Sequence, residues 1–167
     1  MRGDSAGGRI WLVASAVREY ADVDRARGVA SLIGMTRFVV DCDVVLHLAS
    51  EGIEVSSKHQ LLAPTLLRSQ TLSALHEAVH DGEIPQDVAR DRLARIQAMP
   101  IRLLGDAVLR RRAWEIADQL GWASTYDAEY VALTQLQADA FVTLDEELAR
   151  RLEGIIPTAT VDALRSA

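Results

Sequence analysis

"RFVVDCDVVLHLAS", residues 37–50, carries a short apolar run, Phe38-Val39-Val40, that stops at Asp41 and Asp43 before a second apolar run begins. The first run, rich in β-formers and bounded by turn-forming aspartates, reads as a buried strand, Arg37–Val40. The second, "VVLHLAS", predicts a short helix over 44–50. A strand that feeds straight into a helix is the first half of a βαβ unit. It places two carboxylates, two residues apart, at the strand's carboxyl end, on the rim of the core.

The same alternation continues downstream. After a loop over 51–58, "HQLLAP" (59–64) reads as a strand ended by Pro64. "TLLRSQTLSALHEAVHDG" (65–82) predicts a helix closed by Gly82, and residues 85–99 a second with Pro85 in its first turn. "IRLL" (101–104) can be a strand; "GDAVLRRRAWEIADQLG" (105–121) and "STYDAEYVALTQLQ" (124–137) are helical. "AFVTL" (140–144) is a buried strand and "DEELARRL" (145–152) a short closing helix. Strands alternating with helices imply a mostly parallel sheet covered on both faces, a three-layer α/β/α sandwich.

Residues 1–34 stand apart. "MRGDSAGG" is loop-like, and Leu12, Ala16, Tyr20, Val23, Ala26, Ala30 and Ile33 recur at helical spacing, so an N-terminal, partly helical extension is expected before a domain spanning 35–167. "IWLVASAV" (10–17) faintly resembles a secretory signal core, but Asp4 in the preceding segment argues against that. No apolar run approaches the ~20 residues that a membrane helix needs. The single cysteine, Cys42, excludes an internal disulfide and fits a reducing, cytoplasmic setting, where it reads as a small buried hydrophobe. A net charge of −6 argues against a generally basic surface while leaving room for a local basic patch. There is no internal repeat and no glycine-rich phosphate loop.

In open α/β sheets the functional crevice lies beyond the carboxyl ends of the strands. Asp41, Asp43 and Asp145 fall at such ends, and Asp127 in the first turn of a helix. Each has a purely structural reading: Asp43 and Asp145 as N-caps, Ser124 with Asp127 as a capping-box pair. Asp41, nearest the buried strand, suits such a reading least. Carboxylates arriving in one crevice from three segments repel unless a cation offsets them, and Mg²⁺ or Mn²⁺, which favour carboxylate oxygens and retain water, are the economical choice.

These residues resemble the PIN-domain family of metal-dependent ribonucleases, in particular the VapC toxins of toxin–antitoxin pairs. The matching pieces are "FVVDCDVVL", "LLAPTLLRSQTLSAL" and "TYDAEYVALTQLQADAFVTLDEEL", together covering about residues 36–152. The resemblance implies that Asp41, Asp127 and Asp145 are metal ligands, that Asp43 stands where the family has Ser or Asn, and that Thr143 matches its polar Thr. It further implies Mg²⁺- or Mn²⁺-assisted hydrolysis of RNA rather than DNA, a homodimer, and an antitoxin partner. One position departs from the pattern: Gln70 replaces the family's glutamate, giving up a full charge. A domain that binds without cleaving is the alternative this leaves open. Asp43 adds a carboxylate that could restore the lost charge. Cations to meet RNA would come from Arg110-Arg111-Arg112, Arg90, Arg92, Arg95 and Arg102, although such runs are commonly solvated helix faces.

Two other readings compete. Asp41 and Asp43 also fit the strand-end pattern of haloacid-dehalogenase-like phosphatases, as nucleophile and general acid, but that chemistry wants a downstream lysine and the chain has only Lys58. "HEAVH" (76–80) matches the zinc-protease helix, with His76 and His80 on one face and Glu77 as base, but no histidine follows to complete the ligand set. His47 and His59 default to core or surface roles. Trp114 is expected in the core or on a dimer surface, and Trp11, Trp114 and Trp122 are too scattered for a base-stacking platform.

Overall fold

Phe38, Val39 and Val40 do form a buried strand at the centre of the sheet. In the computed structural model, which describes residues 35–165, they belong to β1 (Thr36–Val40), the middle strand of a five-stranded sheet in the order β3-β2-β1-β4-β5. The others are β2 (His59–Pro64), β3 (Ile101–Leu104), β4 (Ala140–Val142) and β5 (Thr158–Ala159). Every pairing is parallel. The extension expected over residues 1–34 lies outside the described residues.

Parallel strands need crossovers, and helices supply them: α1 (Cys42–Glu51), α2 (Leu67–His80), α3 (Gln86–Ala98), α4 (Ala107–Leu120), α5 (Tyr126–Gln137) and α6 (Glu146–Arg151). The first three pack on one another, whereas α4 packs on α5 and α5 lies on β1, β2 and β4. The result is the expected three-layer α/β/α sandwich. Its core runs through Val39, Val40, Val44 and Val45, all fully buried, to Ala128, Val131 and Ala132 of α5. Small residues on α5 let that helix lie close against the sheet.

The strand order supplies the crevice. From β1 the chain steps outward to β2 and β3, then returns to the other side of β1 for β4 and β5. The carboxyl ends of β1 and β4 therefore face a topological switch point, where the connecting helices part. The register pairs Val40 with Val142, so Asp41 and Thr143, the next residues on each strand, emerge side by side.

The structure adjusts several expected bounds. The first helix begins at Cys42 because Asp41, not Asp43, is its N-cap; Asp43 sits in the first turn. Pro85 likewise caps α3 from outside rather than opening its first turn. Strand β4 ends at Val142, leaving Thr143 and Leu144 in the turn. The strand β5 and a 3-10 helix, Val161–Leu164, were not expected, yet they bring Ile156, Val161 and Leu164 into the core.

One backbone approach is tight. A Cβ on Gly105, just past β3, would lie 2.6 Å from Thr65 Oγ1 and 2.9 Å from its Cγ2. Thr65 is β-branched and its backbone N–H is bonded to Leu104, so it has little freedom to withdraw. Gly105→Ala is expected to lower stability by roughly 1–3 kcal/mol, the usual penalty for overpacking, with an unchanged denaturant m-value. Chemical denaturation checks this.

Candidate active site

Asp41, Asp43, Gln70, Asp127 and Asp145 line a single open cavity of about 400 Å³ at the switch point. Four segments meet there: the β1–α1 junction, α2, the first turn of α5 and the β4–α6 junction. Thr143 stands behind the lining.

Each side chain is fixed by local structure. Asp41 turns from extended backbone into α1 and caps it, Oδ1 accepting the Val44 N–H at 2.9 Å. The Thr143 hydroxyl, brought beside it by the strand register, bonds the same carboxylate. Thr143 Oγ1 also accepts the Asp145 N–H at 3.1 Å. Asp145 caps α6 as expected, its Oδ1 accepting from Glu147 and Leu148, both at 2.9 Å. Capping engages one oxygen, Oδ1, of each carboxylate. Asp127 has no capping duty. The expected capping box does not form: Thr125 precedes the helix without a side-chain cap, and Ser124 Oγ accepts the Tyr126 N–H instead.

The electrostatics are those of crowded acids. Burial raises the Asp41 carboxyl to about 6, with Asp43 and Asp127 pushing the same way against the bonds from Thr143 and Val44. Asp127, at the crevice mouth, is raised by partial burial of its carboxylate and by Asp145, and lowered by Arg151. The Cys42 thiol is pushed up to about 12, by burial first and then by Asp43 and Asp41. It is inert at neutral pH, as a small packed hydrophobe should be.

Ser73 and Tyr130 carried no expectation from sequence, and Glu77 only that of a base in a zinc-protease helix. Ser73 and Glu77 line the cavity beside Gln70, and Ser73 Oγ donates to Glu77 Oε1 at 2.6 Å. The i, i+3, i+7 spacing of Gln70, Ser73 and Glu77 was the available signal, since it places all three on one helix face. Tyr130 also lines the cavity, donating from its hydroxyl to Gln70 Oε1 at 2.6 Å. Its phenol is held well above its ordinary pKa, chiefly by burial.

The expected arginines do not line the cavity. Arg112 bonds Gln135 and Glu115, Arg95 pairs with Asp91, and Arg110 acts on Glu129. Arg151 stands near the acids instead, its guanidinium 5.1 Å from the Trp122 ring centroid and close enough to lower the Asp127 pKa. Trp114 is 65% exposed, which corrects the core placement. His59 packs edge-on against Phe38.

A larger hollow between α2, α3 and β3 is lined by Leu67, Leu72, Ile96, Met99 and Leu103 and contains no carboxylate. The competing chemistries fare poorly. Lys58 lies just before β2, at the amino end of the strands, remote from Asp41. His76 and His80 are exposed near the end of α2, and among the described residues no group of three His, Cys, Asp or Glu side chains forms a ready metal cage there or elsewhere. No described helix is long and apolar enough to cross a membrane.

No protein-family model and no curated protein matches the chain. Solved structures do. PAE2754 from Pyrobaculum aerophilum is similar over 77% of this chain and 92% of its own, with a TM-score of 0.60 and 23% identity. VapBC2 from Rickettsia felis, solved bound to a DNA fragment from its promoter, is similar over 75% of this chain and 98% of the matched one, with a TM-score of 0.51 and 8% identity. At these identities both are likenesses of fold. Both agree with the three-layer α/β/α fold described above.

Proposed function

We propose that the chain is a Mg²⁺- or Mn²⁺-dependent endoribonuclease of the VapC kind, acting as the toxin of a toxin–antitoxin pair. The observation that carries this reading is the gathering of Asp41, Asp43, Asp127 and Asp145 in one crevice at the switch point of this fold. The donor set suits a hard cation. Asp43 and Asp127 push the Asp41 pKa up, Asp145 does the same to Asp127, and capping engages only one oxygen each of Asp41 and Asp145. An open wall of acids, not a closed cage, is what a water-rich ion takes when the substrate phosphate completes its shell. Asp41, Asp127 and Asp145 would hold it, with Asp43 adding charge at the mouth. When bound, such an ion polarises the phosphate and makes a nucleophile of water.

The protein's own part is orientation and charge. Thr143 ties Asp41 to the Asp145 turn, so that the two strand ends act as one wall. Arg151, braced on Trp122, offers a cation to the RNA backbone beside Asp127. The likeness to VapBC2 supports a protein antitoxin, and a homodimer is part of the same reading. RNA, not DNA, is the substrate.

Purified protein with Mn²⁺ is expected to cut RNA, leaving 5′-phosphate and 3′-hydroxyl ends, and to stop when EDTA is added. Cleavage that survives chelation overturns the metal mechanism. Retained RNA binding with no cleavage under any metal favours a silent binding module, the reading that Gln70 in place of a carboxylate supports. Asp43→Asn should weaken Mn²⁺ binding by calorimetry if Asp43 makes up the charge missing at Gln70; equal affinity removes that role.

A further inference from the structure

Gln70 occupies the place where the resemblance expects a carboxylate, and its surroundings say what the amide does instead. Its Oε1 accepts from the Tyr130 hydroxyl at 2.6 Å, across 60 residues of sequence. Tyr130 is 3% exposed and largely packed in the core. A phenol that keeps its proton has one to donate, and Gln70 Oε1 is the acceptor it meets. The oxygen is thus turned toward α5, and the amino group is left facing the crevice that Gln70 lines.

We propose that Gln70 serves in this chain as a hydrogen-bond donor to a phosphate oxygen of the RNA rather than as a metal ligand, and that Tyr130 is the positioning residue that holds it so. The inference rests on the nuclease reading above. Turning the carbonyl toward an ion would bring the amino group onto Tyr130 and cost its hydroxyl the 2.6 Å bond that it makes. The crevice already holds five carboxylates, Asp41, Asp43, Glu77, Asp127 and Asp145, and a further anion arriving as phosphate meets repulsion. A neutral N–H donor at Gln70 adds attraction for that phosphate where a glutamate would add more repulsion. The exchange of Glu for Gln therefore trades affinity for the cation against affinity for the substrate.

The test measures two affinities separately: Mn²⁺ by calorimetry, and a fluorescein-labelled oligouridylate by anisotropy with Ca²⁺ in place of Mn²⁺. Gln70→Ala is expected to weaken oligouridylate binding by about tenfold, the worth of one hydrogen bond to a charged group, and to leave Mn²⁺ affinity within about twofold. Tyr130→Phe should weaken oligouridylate binding by a smaller factor and add nothing on top of Gln70→Ala, because it acts only through the amide. Unchanged oligouridylate binding in Gln70→Ala, a marked loss of Mn²⁺ affinity in it, or additive effects of the two substitutions would each overturn the proposal. A wild-type protein that binds neither Mn²⁺ nor oligouridylate overturns the nuclease reading itself, and this inference with it.

Discussion

Asp127→Asn is expected to abolish RNA cleavage while leaving the protein as stable as before, or more so. Loss of even an outer-shell partner of a metal site costs about 10–100-fold, so loss of a ligand should cost at least about a hundredfold in activity. Stability moves the other way for a reason visible in the fold. Asp127 caps nothing; its carboxyl pKa is raised, first by burial and then by Asp145. A carboxyl raised in the folded state is one whose ionised form the fold disfavours, so above that pKa the charge subtracts from stability. Asparagine removes the charge and keeps the shape. The thermal midpoint at neutral pH should therefore hold or rise as activity disappears. Asp145→Ala makes the contrast, since it discards a cap whose Oδ1 accepts two backbone N–H bonds and should lose about 1 kcal/mol along with activity. Retained cleavage in Asp127→Asn, or a folding defect large enough to explain its loss, would remove this residue from the site.

The fold was legible because its determinants are local. Phe38-Val39-Val40 ends abruptly on Asp41, and a buried parallel strand has no other appearance in sequence. Helices α2 to α5 announce themselves by period and by stops such as Gly121, which takes the left-handed φ of 68° that ends α4. What escaped was short or relational. Two residues of β5 carry no periodicity, and their place beside β4 depends on the turn that precedes them. Asp43 was the expected cap and Asp41 the residue least suited to a structural role, yet Asp41 caps the helix. The choice between them fell to where the strand ends, one residue before Asp41.

The site was legible as a set of acids but not as a set of neighbours. Asp41, Asp127 and Asp145 could be grouped because each follows a strand or opens a helix at the same end of a parallel sheet. The arginines could not be sorted in that way: Arg112 and Arg95 are spent on partners within their own layer, whereas Arg151 reaches the acids because α6 starts at Asp145 and is short. Tyr130 reads in sequence as one more apolar position of a buried helix. Only its partner, Gln70, distant in sequence, turns its hydroxyl into part of the site.

Asp41 connects that site to pH. Its carboxyl rises from 3.8 to about 6, mainly by burial, so the unfolded chain gives up its proton first as the pH climbs. Between those values the folded state holds more protons, and stability from this group falls as pH rises, by roughly 3 kcal/mol at most across the window. Without metal, wild-type protein should lose more stability than Asp41→Asn between about pH 4 and pH 7, since asparagine keeps the cap and has no proton to lose. Mn²⁺ reverses the sign. It competes with that proton, so the stability gained on adding Mn²⁺ should be small near pH 5 and approach its full value of RT ln(1 + [Mn²⁺]/Kd) near pH 8. Thermal scans of both proteins, with Mn²⁺ and with EDTA, measure the two slopes. A gain from Mn²⁺ that is the same at both pH values, or a wild-type slope in EDTA that matches Asp41→Asn, would mean that Asp41 neither titrates in this range nor holds the ion. The acids of the crevice would then have to be explained by capping alone, a role that neither Asp43 nor Asp127 fills.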